Sequence, residues 1–368
     1  MSPSPFRVGI IGTGGIAHAH ARALAALADR AALVGVVDLD PDRAAAFADE
    51  YGVPRVFASA DELFAAETLD LAIVCTPPQT HAPLAVAASR AGVPVLVEKP
   101  TVLSLAEMDE LAAVERETGS PILTVFQHRF GAAARHLAAL VAAGDLGRPL
   151  VATCETLWFR PDEYFEVPWR GRWEIEGGGP TMGHGIHQFD LLLSVLGPWN
   201  EVTAVAARQS RPTDTEDVSL ALVRFDNGAL ASVVNSLVST RETSRLRFDF
   251  EHATVEVEHL YGYTSGDWTF TPAPGHEHLA DRWQHVHDDT RSSHRDQLAA
   301  ILDGLAAGSP LPVGLDDARR TLEFAAATYA SAFRGVPIRA GEITADDAFA
   351  RSMSGGAVPW APVKEVLA

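Results

Sequence analysis

The chain has 368 residues, more than one hydrophobic core usually fills, so two domains are expected. Its 48 acidic against 29 basic side chains give a formal net charge of -19, which disfavours partners such as nucleic acid or an anionic membrane. The two cysteines have no metal or disulfide spacing, and neither a signal-peptide pattern nor an apolar run of about 20 residues is present. We therefore expect a cytoplasmic protein.

Short apolar segments alternate with helical patterns over the first third of the chain. They are rich in valine and isoleucine and apolar nearly throughout, as strands buried on both faces are. The predicted strands cover residues 7–11, 33–38, 55–57, 71–75, 95–98 and 122–126. This alternation predicts an α/β domain with a doubly wound parallel sheet over residues 1–127.

The pattern changes after Gln127. Two strand-like runs, residues 219–225 and 229–235, flank Asp226-Asn227-Gly228, which predicts a β-hairpin. Further strands are predicted over residues 151–159, 202–207, 245–250 and 254–257, and helices over residues 132–143, 293–307 and 316–333. We expect an α+β domain with a mostly antiparallel open sheet over residues 128–340, and a tail of unassigned role over residues 341–368.

A glycine-rich turn follows the first predicted strand and opens a helix. It reads Gly12-Thr13-Gly14-Gly15-Ile16-Ala17 and fits the GxGxxA dinucleotide fingerprint. Gly12 permits the tight turn, Gly14 lets backbone approach a pyrophosphate, and the helix N-terminus supplies N–H groups for phosphate.

An acidic residue follows this turn at the expected place. Asp38 ends the second predicted strand, where a carboxylate accepts hydrogen bonds from a ribose 2′-hydroxyl and repels a 2′-phosphate. Leu39, rather than Ser or Arg, comes next. The sequence thus predicts a Rossmann domain that binds NAD in preference to NADP.

Two polar segments, residues 75–81 and 98–100, follow the fourth and fifth predicted strands. Ligands bind at these carboxyl ends in an open α/β sheet. An ammonium such as that of Lys99 can hydrogen-bond a substrate hydroxyl and stabilise an alkoxide-like oxygen. An ordinary surface lysine is the alternative, and position alone does not decide between them.

These segments also carry a family resemblance. Thr76-Pro77-Pro78…His81 and the run AGVPVLVEKP that ends at Pro100 resemble the Gfo/Idh/MocA oxidoreductases, a family that includes glucose–fructose oxidoreductase and inositol 2-dehydrogenase. The resemblance extends from about Arg7 to Ile338. It implies that Lys99 contributes to the active site. It also implies that Thr76, Pro77 and Glu98 touch the nicotinamide riboside, with His81 nearby.

Residues 177–190 resemble the family's glycine-rich segment that ends in DxGxHxxD. His187 matches the histidine that acts as acid/base or substrate ligand, and an imidazole titrates near neutrality. The family's first aspartate falls at Gly183, so the carboxylate that would orient the imidazole is missing. The adjacent His184 is a candidate replacement. For Asp190, nearly one helical turn beyond His187, we expect a structural or supporting role.

An aromatic and cationic stretch, residues 159–173, precedes this segment. Aromatic faces pack against sugars and arginine binds their oxygens, so we expect Trp169 or Arg170 to contact substrate, with domain packing as the alternative. Arg129, just past the sixth strand, is a further substrate-binding candidate. Two HxH pairs, at residues 276/278 and 285/287, have a spacing that can bind metal, but we favour a polar loop and predict no metal site.

These expectations combine into an NAD(P)-dependent dehydrogenase that transfers hydride between nicotinamide and a secondary alcohol of a sugar, sugar derivative or cyclitol. Lys99 would polarise the substrate oxygen and His187 would accept the proton. An NAD-dependent glycosidase and a non-catalytic dinucleotide-binding regulator are the alternatives on this scaffold. A one-sided antiparallel sheet favours self-association, and the resemblance implies a homodimer or homotetramer.

Overall fold

The computed structural model describes residues 4–284 and 290–364. The chain divides into two compact units. The first contains Met1–Val102, Ala106–Val125 and His294–Arg319, and the second contains Leu103–Leu105, Phe126–Ser293 and Arg320–Ala368. The first unit thus includes a late segment that was expected in the second domain.

The first unit contains a six-stranded parallel sheet of order β3-β2-β1-β4-β5-β6. Its strands are β1 Phe6–Ile11, β2 Ala31–Val37, β3 Val56–Phe57, β4 Leu71–Val74, β5 Val95–Val97 and β6 Ile122–Thr124. The helices between β1 and β6 are α1 Ala17–Ala25, α2 Pro41–Tyr51, α3 Ala60–Ala66, α4 His81–Arg90 and α5 Leu105–Thr118. All six predicted strands are confirmed, and the doubly wound sheet with them.

Local sequence signals explain where these elements begin and end. The carboxylate of Asp40 caps α2 by accepting hydrogen bonds from the amides of Asp42 and Arg43, and Gly52 ends that helix with φ of 65°. The central strands β1 and β4 are buried on both faces, which is why their sequences are uniformly apolar. The order reverses between β1 and β4, the position where open α/β sheets bind ligands.

The second unit contains an eight-stranded sheet of order β13-β12-β11-β7-β10-β9-β8-β14. Its strands are β7 Pro149–Phe159, β8 Trp199–Ala207, β9 Val218–Phe225, β10 Leu230–Ser236, β11 Val238–Phe250, β12 Ala253–Glu258, β13 Trp268–Pro272 and β14 Ile338–Arg339. Among the described strand pairs β7 and β10 are parallel, and the others are antiparallel, as expected. The β9–β10 hairpin turns at Gly228, with φ of 90°.

The helices of the second unit include the one that carries His187. They are α6 Ala132–Ala142, α7 Trp173–Glu176, α8 Ile186–Leu196 and α9 His278–Gln284. Three later helices are α10 His294–Ala307, which belongs to the first unit, α11 Leu315–Arg334 and α12 Ala348–Arg351. None of the described helices combines the length and apolar character that a bilayer crossing requires.

Helix α10 completes the core of the first unit. Leu298, Ile301 and Leu302 are fully buried in the cluster that also contains Val8 of β1 and Leu24 of α1. The sequence predicted this helix but not its place. Its contribution to the first unit depends on side chains that meet partners more than 250 residues earlier in the chain.

Candidate active site

The glycine turn after β1 has the geometry that a pyrophosphate requires. Gly12 has φ of 92°, and a Cβ there would lie 2.8 Å from Thr76 Cγ2, so only glycine fits. A Cβ on Gly14 or Gly15 would meet no atom within 4 Å, which leaves the backbone of both residues open to a ligand. Helix α1 starts at Ala17, so its first N–H groups lie at the turn. The turn therefore fits a dinucleotide.

Asp38 lies beside this turn as a carboxylate. Its Oδ2 accepts hydrogen bonds from the amide and the hydroxyl of Thr13, both at 2.8 Å. Burial alone would raise the pKa of Asp38, but hydrogen bonds from Arg43, Thr13 and the amide of Asp40 hold it well below the usual range. Arg43 was not predicted from the sequence; its Nε lies 3.1 Å from Oδ2 and its Nη2 bonds Oδ1.

The loop after β4 is fastened by His81. This side chain is 1% exposed, and its two ring nitrogens lie 2.8 Å from the carbonyl oxygens of Thr76 and Pro100. Burial is the main cause that lowers the pKa of His81. His81 therefore joins the loops after β4 and β5, which favours a supporting role over the direct presentation of a nitrogen to the cofactor. Thr76 is half-buried and Pro77 is exposed.

Lys99 follows β5 and is half-buried, and its peptide bond to Pro100 is cis. Its backbone amide donates a hydrogen bond to Glu98 Oε2 at 3.1 Å. The glycine turn, the Thr76 loop and Lys99 thus follow three neighbouring strands, at the same edge of one parallel sheet.

Glu98 belongs to a buried triad that was not predicted from the sequence. His20 Nε2 lies 2.8 Å from Glu98 Oε1, and His294 Nε2 lies 3.6 Å from the same oxygen. Burial would raise the pKa of Glu98, but the hydrogen bond from His20 and the proximity of His294 outweigh it and keep the group ionised. Burial lowers the pKa of His20. From the sequence alone, packing or solvent exposure is the favoured interpretation of His20.

The triad also has donor types that metals use, and its ligand atoms all lie within 4.8 Å of one another. Two ligands of a tetrahedral zinc site, at bond lengths of 2.0–2.2 Å, stand about 3.3 Å apart. The 2.8 Å between His20 Nε2 and Glu98 Oε1 is a hydrogen-bond distance instead. We therefore interpret the triad as a hydrogen-bonded network.

The late HxH pairs do not extend this picture. His276 stacks on His252 with ring centroids 4.0 Å apart, and His278 lies 6.1 Å from His276. Within residues 4–284 and 290–364, the group of side chains close enough to hold a metal ion is the triad of His20, Glu98 and His294. His276 and His278 do not belong to it. His285 and His287 lie outside the described residues.

In the second unit, the glycine-rich segment packs on buried polar groups. A Cβ on Gly179 would lie 1.8 Å from the Glu216 carbonyl oxygen, so this position has no room for a side chain. Glu216 is fully buried and accepts hydrogen bonds from the amides of Gly179 and Thr181 and from the Tyr329 hydroxyl. Burial raises the pKa of Glu216. Sequence reasoning missed this anchor.

His184 and His187 lie on and just after a π-helical turn, Thr181–Gly185, that leads into α8. His187 is 4% exposed, and its ring centroid lies 5.1 Å from that of His128 and 5.8 Å from that of Tyr261. His184 is half-buried and meets Trp158 edge-on at 4.9 Å. The two histidines thus have different ring neighbours, which does not favour His184 as a replacement for the missing aspartate.

Gly183 has open space around it. A Cβ there would meet no atom within 4 Å, in contrast to Gly179. The space around Gly183 would therefore accommodate the Cβ of an aspartate, so steric hindrance does not explain why this chain has glycine there.

Asp190 and Arg129 form a bidentate ion pair. Arg129 Nε and Nη2 donate to the two carboxylate oxygens at 2.8 and 2.6 Å, and the Thr321 hydroxyl donates to Oδ1 at 3.0 Å. Asp190 is 0% exposed. This geometry agrees with the structural role expected for Asp190. It favours the same role for Arg129, in place of the substrate contact predicted from the sequence.

Trp169 and Arg170 lie in a loop with stacked cationic and aromatic groups. The Arg170 guanidinium lies 4.0 Å from the ring centroid of Tyr164 and 4.2 Å from that of Trp169, and 3.4 Å from the Glu176 carboxylate. Trp169 is 37% exposed. Both predicted residues thus retain surface that a ligand can reach.

Together the two units define a class of protein, the dinucleotide-dependent oxidoreductases with a Rossmann sheet and a separate, mostly antiparallel sheet. Residues 6–126 match the oxidoreductase family with an NAD-binding Rossmann fold, and residues 134–256 match the GFO/IDH/MocA C-terminal domain. The chain belongs to the GFO/IDH/MocA family, which confirms the resemblance found in the sequence.

Individual relatives are similar over nearly the whole chain. D-apiose dehydrogenase of Paraburkholderia graminis is 26% identical over 96% of this chain and 94% of its own. Inositol 2-dehydrogenase 4 of Saccharopolyspora erythraea is 30% identical over 86% of this chain and 94% of its own. The crystal structure of the WlbA dehydrogenase from Bordetella pertussis, in complex with NADH and UDP-GlcNAcA, has a TM-score of 0.81 at 26% identity and covers 91% of this chain and 99% of that one.

Proposed function

We propose that the protein is an NAD-dependent dehydrogenase that transfers a hydride between a secondary alcohol of a sugar, sugar derivative or cyclitol and nicotinamide. The observation that carries the proposal is the carboxyl end of the parallel sheet, where the open backbone of Gly14, the carboxylate of Asp38 and Lys99 follow β1, β2 and β5. The relatives named above act on apiose and inositol, and one binds a nucleotide sugar with NADH.

In this proposal residues 12–16 hold the pyrophosphate and Asp38 holds the adenosine ribose. Bound NAD supplies the nicotinamide carbon that accepts the hydride. The Lys99 ammonium hydrogen-bonds the substrate oxygen and stabilises the charge that develops on it, and the His187 imidazole takes the hydroxyl proton. Trp169 and Arg170 bind the substrate. The ionised Asp38 disfavours a 2′-phosphate, which supports NAD over NADP.

The test uses Lys99→Met, which keeps an unbranched side chain of similar length and removes the charged ammonium. We expect NAD affinity, measured by fluorescence titration, to stay within about twofold, and NADH production on a polyol and sugar panel to fall by about 10² to 10³. Arg90→Met, which removes an exposed cation at the end of α4, is the matched control and should keep wild-type activity. Full activity of Lys99→Met would refute the assigned role. Glycoside cleavage without net NADH would instead favour the glycosidase alternative.

We further propose that the protein self-associates, as a homodimer or homotetramer, through one face of its antiparallel sheet. Neighbouring strands expose apolar side chains on this face: Val151, Val205, Leu220, Leu222 and Leu230, at 44 to 67%. An apolar patch of this kind is typical of a protein interface. Leu222→Glu should reduce the mass measured by light scattering, whereas Leu39→Glu, at an isolated exposed leucine in the first unit, should not. A monomeric wild type would contradict the proposal.

For the compartment we propose the cytoplasm. Cys75 and Cys154 are both free and buried, which suits a reducing environment.

A further inference from the structure

The last described residues, 360–364, lie beyond both family matches and contain neither helix nor strand. They are nevertheless held by specific hydrogen bonds. The Trp360 indole donates to the Asp214 carbonyl at 2.8 Å, and the amides of Val363 and Lys364 donate to Asp214 Oδ1 at 2.6 and 2.9 Å. The Ala361 carbonyl accepts from Arg208 at 2.8 Å. We call this segment the C-terminal strap.

Asp214 connects the strap to the loop that carries Trp169 and Arg170, residues 162–173, which we call the aromatic loop. The Asp214 amide donates to the Gly171 carbonyl at 2.8 Å, and the indole of Trp173 donates to the Asp214 carbonyl at 2.8 Å. One carbonyl therefore accepts from an indole at the end of the loop and from the Trp360 indole of the strap.

A second attachment lies at the other end of the aromatic loop. The Lys364 ammonium donates to the carbonyl of Phe165, a residue that is 3% exposed. Burial and the nearby Arg172 guanidinium lower the pKa of Lys364, so the ammonium lies in surroundings less favourable than water. The chain has only two lysines, and its other Lys/Arg residues are arginines. A compact ammonium suits a single carbonyl oxygen, whereas a planar guanidinium suits a carboxylate.

The two attachments bracket the residues proposed to bind substrate. Phe165 precedes Trp169 and Arg170, and Gly171 follows them, while Trp169 keeps 37% of its surface exposed. Fixing a loop in its binding conformation lowers the entropy lost when a ligand binds. These contacts of the strap join residues of the second unit, whereas the glycine turn belongs to the first.

We propose that the C-terminal strap holds the aromatic loop in its substrate-binding conformation, so that Lys364 and Trp360 are positioning residues that set substrate affinity without affecting NAD affinity. The choice of substrate as the ligand rests on the proposed function. The loop-fixing role does not, because it concerns contacts within the chain.

Hydrogen–deuterium exchange of the full-length protein tests the loop-fixing role directly. Lys364→Met removes the bond to Phe165, and a chain ending at Pro359 removes the whole strap. We expect amides of the aromatic loop, such as that of Arg170, which bonds the Val167 carbonyl, to exchange about 10-fold faster or more in both variants. Arg351→Met, which removes an exposed charge from α12, is the matched control and should leave exchange unchanged. Unchanged exchange in both strap variants would overturn the proposal.

Kinetics on any substrate found in the panel test the consequence. For Lys364→Met we expect KM for that substrate to rise about 10-fold, with kcat within about threefold and NAD affinity unchanged. Faster loop exchange with an unchanged KM would contradict the link to substrate. If no substrate is found, the proposed function fails, and the exchange result still decides the role of the strap.

Discussion

The Nε2 atom of His20, on the helix that follows the glycine turn, lies 2.8 Å from Oε1 of Glu98, the residue before Lys99. The other carboxylate oxygen of Glu98 accepts the Lys99 amide. A single buried carboxylate thus connects the dinucleotide-binding helix to the backbone of the proposed catalytic lysine. A buried carboxylate with these two partners stabilises the folded protein and also fixes the backbone geometry at Lys99.

Glu98→Gln should lower the free energy of unfolding by about 1–3 kcal/mol near neutral pH, because it weakens charge-assisted bonds in a buried site. The folded-state pKa of Glu98 is depressed, so its stabilisation is present above the ordinary carboxyl pKa and is lost as pH falls through the folded-state value. The difference between wild type and variant should therefore shrink below about pH 4.5. Urea unfolding at several pH values measures it, and Glu117→Gln, at an exposed carboxylate of α5, is the control. A pH-independent difference would contradict the ionised state.

Asp38→Ala should shift cofactor preference toward NADP. The substitution removes the carboxylate that repels a 2′-phosphate and releases Arg43, which can then pair with that phosphate. We expect the NADPH-to-NADH affinity ratio, from fluorescence titration, to rise about 10-fold or more. The double variant Asp38→Ala with Arg43→Ala should lose most of the gain. An equal ratio in the single and double variants would show that Arg43 plays no part.

Gly183→Asp should be tolerated, because a side chain there meets open space. A carboxylate near a catalytic imidazole stabilises its protonated form, so the acidic limb of the pH profile of kcat/KM should move to higher pH. Gly183→Asn, of equal size and without charge, should leave this limb in place. If the two variants have identical profiles, residue 183 is not electrostatically coupled to the proton acceptor.

Arg129→Met should destabilise the protein by about 3–5 kcal/mol, because it removes the bidentate guanidinium from the buried Asp190 carboxylate. Replacing both residues with apolar ones, Arg129→Met with Asp190→Leu, should restore much of the loss. Thermal unfolding measures both. A variant Arg129→Met that unfolds like wild type but has lost substrate affinity would support the original prediction of a direct substrate contact.

The sequence predicted those features that depend on neighbouring residues. The Gly12 turn, the Asp40 cap and the Gly228 hairpin each follow from the conformations that their own residues allow. Buried parallel strands are apolar on both faces, so the sheet of the first unit was also recognisable. The family motifs in addition predicted Lys99 and His187 as catalytic candidates, which turn chemistry alone would not single out.

Features that depend on distant partners were not predictable in this way. His20 and Glu98 are 78 residues apart, and Glu216 lies 37 residues beyond the Gly179 amide that it binds. A buried charged side chain breaks hydrophobic periodicity and looks like a surface residue in a single sequence. The ion pair of Arg129 was not predictable for the same reason, since its partner Asp190 is 61 positions away.

The placement of α10 has a consequence for biosynthesis. Leu298, Ile301 and Leu302 fill the core beneath β1 and α1, and the Gln297 side chain bonds the carbonyl of Thr124 in β6. We therefore expect the nascent Rossmann sheet to leave the ribosome with an apolar surface that stays uncovered until α10, 170 residues beyond the end of β6, has been made. We expect chaperones to bind this intermediate, and a fragment ending at Gln127 to aggregate.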